Sequence, residues 1–362
     1  MAFLWGTILG HCSEILKPLE RANFILLSLV ASLCFTYFYF LYTHEYPPGS
    51  YERIANYDAD KVFQTRILVT CMANALEPAL PLLQASFQWF VPYPIEYEVL
   101  LQGITVCFLA ALIPLIPRLC KVMGTPVSPW WGFLCILPLS WNYIFLNGLW
   151  DGAGLYYPYD IPSLTLFALG VTLFLQGQWK WFYPCFLIAC LNRESACFIT
   201  MAGVFLLLKP KQNARTFFLE NRTILIHLIA QTFLWIFFRV ALSHIFKDNP
   251  GAFFETPHSM PDFVQRMWTG EAHWAMEKPI RFLCLFGGVW IIPLLMWKKQ
   301  TSSARKLMFV GFIYLAALCV RSNMMETRVY NELNVILIVA AIIGLHGFLE
   351  KRRGMQSLST YP

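Results

Sequence analysis

The chain has 362 residues, of which 57% are hydrophobic and only 13% charged, with a net charge of +6 and a mean hydropathy of +0.53. Soluble domains carry about 25% charged residues, so too few charges remain here to cover a soluble surface. Soluble enzymes, fibrous proteins and disordered chains are thereby excluded, and apolar blocks separated by short polar loops indicate a polytopic membrane protein.

In chain order, Met1 to Leu19 carries scattered charge and no small-residue cleavage site, which predicts an interfacial helix rather than a cleaved signal. Blocks long enough to span a bilayer follow at 24–43, 99–117, 129–148, 160–178, 181–208, 223–245, 280–297, 307–320 and 333–349. The block 181–208 holds Asn192-Arg193-Glu194-Ser195 at its centre. As one helix it would bury both charges at mid-bilayer, at about 2.5–3.5 kcal/mol each. Two short helices meeting at this tetrapeptide are therefore expected, since broken helices are tolerated where they line a cavity. That hairpin makes about ten spans in one all-α membrane domain covering 1–362, with both termini on one side.

The charges test this arrangement. Arg118, Lys121, Lys180, Lys209, Lys211, Lys298, Lys299, Arg305, Lys306 and Lys351 to Arg353 all fall on the side of the termini, which the positive-inside rule makes cytoplasmic. Most acidic residues fall on the other face, with the long loops 44–98 and 246–279. Chemistry is expected there. The eleven cysteines show no C-x-x-C or Cys/His ligand spacing and read as small hydrophobes.

The first outer loop is expected to form amphipathic surface helices, the first starting near Asp58. In Asp58-Ala59-Asp60, followed by Arg66, Asp58 has the bland role of capping that helix, with Asp60 favoured in its first turn. The next outer loop holds Asp151, Tyr157 and Asp160; the tyrosines suit an interfacial belt, and Asp160 before Ile161-Pro162 suits a helix cap. Arg193 and Glu194 can pair with neighbours, or the guanidinium can grip a lipid-linked phosphate. Before the last span stand Glu326, Arg328, Tyr330 and Glu332, with Arg328 and Glu332 an i, i+4 pair. One outward-opening polar cavity gathering all four segments is the simplest account.

A carboxylate-bearing first outer loop with surface helices, a short-helix hairpin with a basic turn, and about ten spans resemble the GT-C superfamily of polytopic glycosyltransferases. Tyr159-Asp160-Ile161-Pro162-Ser163-Leu164 and Asn192-Arg193-Glu194-Ser195 also resemble uncharacterised bacterial membrane proteins grouped with these enzymes. Asp58-Ala59-Asp60 replaces the Asp-Glu pair of the mannosyltransferase branch. The resemblance implies a bacterial inner-membrane enzyme of cell-envelope polysaccharide synthesis. It would move a sugar from a polyprenyl-phosphate carrier to a glycan, lipid or protein acceptor on the periplasmic face, with inversion. Asp58 or Asp60 would be the base; Arg193, helped by Arg66 or Arg328, would stabilise the departing phosphate; Asp151, Tyr157, Asp160, Glu194, Glu326, Tyr330 and Glu332 would line the cavity. No metal is required, although Mg²⁺ or Mn²⁺ suits clustered carboxylates, and no nucleic acid is expected. The alternatives are a transporter or flippase of lipid-linked glycans, or a polymerase; an acyltransferase is disfavoured because no H-x-x-x-x-D spacing occurs.

Overall fold

The computed structural model describes residues 17–81, 96–149, 154–207, 219–251, 269, 283–321 and 327–359. Its elements are α1 (Pro18–Tyr42), β1 (His44–Glu45), α2 (Tyr51–Ala55), α3 (Lys61–Gln64), α4 (Leu68–Leu76), α5 (Glu96–Val122), α6 (Ile136–Ser140), β2 (Leu155–Tyr156) and α7 (Asp160–Leu175). There follow α8 (Trp179–Asn192), α9 (Cys197–Leu207), α10 (Arg222–Ile245), α11 (Ile291–Leu295), α12 (Ser302–Arg321) and α13 (Asn331–Ser359). The two short strands pair in parallel, His44 opposite Leu155. Among the described residues, five helices are long and apolar enough to cross a membrane: Pro18–Tyr42, Tyr97–Val122, Arg222–Ile245, Ser302–Cys319 and Asn331–Lys351. The chain is an all-α membrane protein.

Side-chain contacts fix the direction of each run. Phe24 of α1 meets Trp130 and Phe133, while Tyr39 meets Tyr143, so the stretch 129–149 runs parallel to α1. Thr165 donates to the Phe108 carbonyl and Arg118 to Gln176, so α5 and α7 share a direction. Against α7, α8 is antiparallel: Phe182 meets Phe174 at one end, and Asn192 donates to the Tyr159 carbonyl at the other. Along α9, Ile199 lies against Gly170 and Phe174 against Gly203. Helix α9 thus descends with α7 and opposite to α8, as the expected hairpin requires.

The remaining runs continue the alternation. Helix α10 rises beside α8, from His227 stacked on Trp179 to Arg239 at the Cys190 carbonyl. Phe205 meets Phe309 and Phe198 meets Tyr314, so α12 opposes α9. Helix α13 in turn opposes α12, with Gly311 against Leu333 and Ile336. One end of the bundle therefore collects Tyr42, Asp160, Arg193 and Asn331, and the other collects Arg118, Gln176, Lys306 and Gly344.

Burial follows composition. Helix α7 is buried from Asp160 to Phe174, as a helix apolar on all sides must be, and it forms the centre. Helix α10 instead exposes Ile226, Ile229, Phe233, Phe237 and Val240 at 57–70%, an apolar face suited to lipid.

Two apolar blocks are not regular α-helices. The block 129–148 is a 3-10 stretch (Pro129–Cys135), then α6, then a π-helical stretch (Trp141–Leu149). Pro129 and Pro138 remove backbone donors, and Gly132 lies so close to α5 that a Cβ there would sit 2.0 Å from the Ile113 carbonyl oxygen. Gly132→Ala is expected to cost about 1–3 kcal/mol, read as a lowered thermal midpoint in detergent; an unchanged midpoint would show that the two runs are not in contact. In the block 280–297 the helix breaks where Phe286, Gly287 and Gly288 take φ of 59°, 60° and 73°, and the Phe286 N–H donates to Asn142 Oδ1.

The first outer loop does carry short helices, α2 to α4, but the cap differs from expectation. The helix begins at Lys61, Asp60 holds its N-cap position without a side-chain hydrogen bond, and Asp58 lies outside it. The interfacial helix expected at Met1 to Leu19 lies almost wholly outside the described residues.

Candidate functional site

Charges from distant parts of the chain meet where α7, the α8–α9 turn and α13 converge. Arg193 is the pivot of that turn. Its extended backbone (φ −159°, ψ 151°) ends α8 before the single turn Glu194–Ala196 leads into α9. Its side chain, 6% exposed, donates to Asp160 Oδ1 at 3.1 Å, and the Asp160 side chain is fully buried. Asp160 is the first residue of α7, where the helix dipole favours its charge. The ion pair, rather than the cap expected from the sequence, is its role.

Glu194 points the other way along the same turn. Arg66 grips it with two hydrogen bonds, Nη2 to Oε1 at 2.7 Å and Nε to Oε2 at 3.1 Å. Arg66 is itself held: its Nη1 donates to the Tyr159 hydroxyl at 2.7 Å, and its guanidinium lies 4.7 Å from the Tyr159 ring centre. A cation–π contact of this kind adds to the pairing. The Arg66 side chain is 5% exposed and that of Glu194 34%, so this pair forms the accessible edge of the cluster.

Glu332 closes the third side. Ser195 Oγ donates to Oε1, and Tyr314 lies on Oε2 and on the Val329 carbonyl. Asn331 donates to the Asp160 carbonyl and to Ser163 Oγ, both at 2.6 Å, and accepts from the Tyr143 hydroxyl. Ser163, Asn192, Arg193, Ser195 and Glu332 surround a narrow cavity with room for about one water.

The structure brings together Arg66, Asp160, Arg193, Glu194 and Glu332. It pairs Asp58 and Asp60 elsewhere: these carboxylates lie 3.6 and 3.9 Å from Arg53, with side-chain exposures of 63% and 33%. Their loop is tied to the residues that follow α10, where Asn249 donates to the Tyr57 and Ala59 carbonyls and Lys61 N–H to the Pro250 carbonyl. Tyr157 is buried, stacked on Phe63 at 5.8 Å, and packs the interior rather than forming a surface belt. Tyr330 is fully buried and lines an apolar cavity of about 210 Å³ with Leu285, Phe286, Met308, Leu315 and Leu333. Asp151 and Glu326, and the side chain of Arg328, lie outside what is described.

Sequence reasoning missed Arg239. It is 7% exposed, donates to the Cys190 carbonyl, and lies close enough to Glu194 for the two charges to act on each other. Its signal was present: a lone arginine in the apolar block 223–245 is expensive and needs a reason. Arg66, Arg193 and Arg239 thus face Asp160, Glu194 and Glu332, a cluster that balances in formal charge.

A second group, Glu45, Glu98 and three tyrosines, links the strands to α2 and α5. The Glu45 carboxylate accepts from the Tyr51 N–H and from the Tyr97 hydroxyl, and Glu98 accepts from Tyr156 at 3.2 Å. Burial pushes the Glu45 carboxyl above its ordinary 4.5; the bond from Tyr51 opposes this and the nearby Glu98 and Glu52 charges add to it. Because the folded value is raised, the stabilisation is complete below pH 4.5 and lost as pH rises through that higher value. Hydrogen exchange at residues 44–51 should therefore quicken with pH beyond its intrinsic rate, and Glu45→Gln should remove the excess; an unaltered excess in the variant would assign it elsewhere.

Among the described residues no group of three or more His, Cys, Asp or Glu side chains is arranged to hold a metal ion. The chain matches no protein-family model, no curated protein and no solved structure.

Proposed function

We propose that the protein is a membrane glycosyltransferase that moves a sugar from a polyprenyl-phosphate carrier to an acceptor at the non-cytoplasmic face. The observation that carries this reading is the cluster of Arg66, Asp160, Arg193, Glu194 and Glu332, buried at one end of an apolar bundle. Charges are costly at such a depth, and arginines there suit the charge that develops on a departing lipid phosphate. In this reading each of the alternating runs is taken to cross the bilayer, giving the about ten spans expected from the sequence. Arg118, Lys121, Lys180 and Lys306 then lie on the cytoplasmic side and the cluster opposite.

Asp60 and Arg66 stand on either side of the single turn α3 in the chain, so one short stretch of the outer loop supplies both a carboxylate and a guanidinium to this reading. Asp58 or Asp60 takes the proton from the acceptor hydroxyl as it attacks the anomeric carbon. The arginines hold the phosphate as the bond to it breaks, and the apolar cavity ending at Tyr330, beside Asn331 of the cluster, suits the isoprenoid tail. The test is turnover. Protein in vesicles supplied with polyprenyl-phosphate sugars should release free polyprenyl phosphate from one of them; binding without release from any would sink the reading.

A lipid-linked glycan transporter is the second reading, favoured by the discontinuous helices at 193–196 and 286–288, a form that transporter binding sites share. It predicts that the lipid-linked sugar reaches the opposite leaflet intact.

A further inference from the structure

Glu194 differs from the other carboxylates of the cluster in one respect. Asp160 and Glu332 are buried, whereas Glu194 is one-third exposed at the edge of the site. Yet it sits in the fork of Arg66, with Arg239 nearby. A guanidinium fork grips a carboxylate and a phosphate with the same geometry.

Two features give the arginines contacts apart from the Glu194 carboxylate. Arg66 also donates to the Tyr159 hydroxyl and sits against the Tyr159 ring. Arg239, more than nine-tenths buried, has a donor to spare: its Nε–H finds no acceptor among the described residues. Buried donors are nearly always met by a protein group or by water, so this N–H can take a further acceptor. Arg239 also lies on α10, one turn from Trp235, whose indole N–H holds the Glu194 carbonyl at 2.9 Å. The Glu194 backbone is thereby tied to α10 independently of its carboxylate.

We propose that Arg66 and Arg239 form an anion site for a phosphate group, and that the Glu194 carboxylate occupies it until a phosphate displaces it. No covalent bond is made or broken; one anion replaces another in the Arg66 fork, with Arg239 beside it. Glu194 then neutralises the fork in the empty protein and sets a threshold for ligand entry. That the phosphate arrives on a lipid carrier rests on the reading proposed above; the anion site does not.

The experiment measures binding of a polyprenyl monophosphate and, separately, of inorganic phosphate to the full chain in detergent. Wild type is compared with Glu194→Gln, Glu194→Asp and Arg239→Gln, each checked for folding by gel filtration. Glu194→Gln keeps the shape but removes the competing charge, and it should bind polyprenyl phosphate at least ten-fold tighter than wild type. Arg239→Gln should bind at least ten-fold weaker. Glu194→Asp, whose carboxylate is too short to fill the fork, should also bind tighter and serves if the glutamine variant does not fold. Equal or weaker binding by a folded Glu194 variant, or unchanged binding by Arg239→Gln, overturns the inference, as does the failure of both phosphates to bind any variant. The same ranking with inorganic phosphate alone would uphold the anion site and remove the lipid-carrier reading.

Discussion

Replacing Arg193 by glutamine is expected to destabilise the protein by about 3–5 kcal/mol, the usual cost of breaking a buried ion pair by removing one partner. The size of the effect comes from what is left behind. Asp160 is fully buried, at the head of the central helix α7, and would keep its charge without that guanidinium. The same side chain pivots the α8–α9 turn, so the loss should loosen the contact of Asn192 with the Tyr159 carbonyl as well. Unfolding of the purified protein in detergent reads the effect. The double variant Arg193→Gln, Asp160→Asn should recover part of it, because no uncompensated charge then remains. A double variant as unstable as the sum of the two single ones would show that the pair does not interact.

Asp60→Asn is expected to lower sugar transfer by about 10²–10⁴-fold, the usual contribution of a general base, while Asp58→Asn leaves most of the activity. The distinction rests on their surroundings. Both face Arg53, but Asp58 is 63% exposed whereas Asp60 is half as exposed and lies beside Gly251. Asp60 also heads the helical turn that precedes Arg66 in the chain. Initial rates with saturating donor, on variants that retain the wild-type unfolding midpoint, separate the two. Full activity in both would remove the first outer loop from the chemistry.

How much of this was legible in the sequence depends on the kind of signal. The α8–α9 hairpin was readable because Arg193 and Glu194 interrupt an apolar block, and the cost of ionised groups in lipid leaves few other solutions. The convergence of Arg66, Asp160, Arg193, Glu194 and Glu332 was expected from the ends of the apolar blocks on which they fall. Their pairing did not, since Arg66 and Glu194 are far apart in the chain and only tertiary packing joins them. The irregular backbone of 129–149 was hidden because hydropathy counts apolar residues without regard to whether Gly132 must approach a neighbouring carbonyl. The assignment of Asp58 as a cap failed on local geometry, because Tyr57 takes a left-handed conformation (φ 63°) and delays the helix to Lys61. Arg239 was visible but unremarked, the lone arginine in the apolar block 223–245, and it has its meaning only once Glu194 is seen beside it.

A structure bound to a non-cleavable polyprenyl-phosphate sugar analogue would show directly whether the arginine cluster holds the phosphate with the sugar turned toward the first outer loop. The phosphate is expected within hydrogen-bonding distance, about 2.7–3.2 Å, of Arg66, with Arg239 or Arg193 beside it, the lipid tail against Tyr330 and Leu333, and the anomeric carbon facing Asp60. A phosphate bound at the opposite end, among Arg118, Lys180 and Lys306, would contradict that placement.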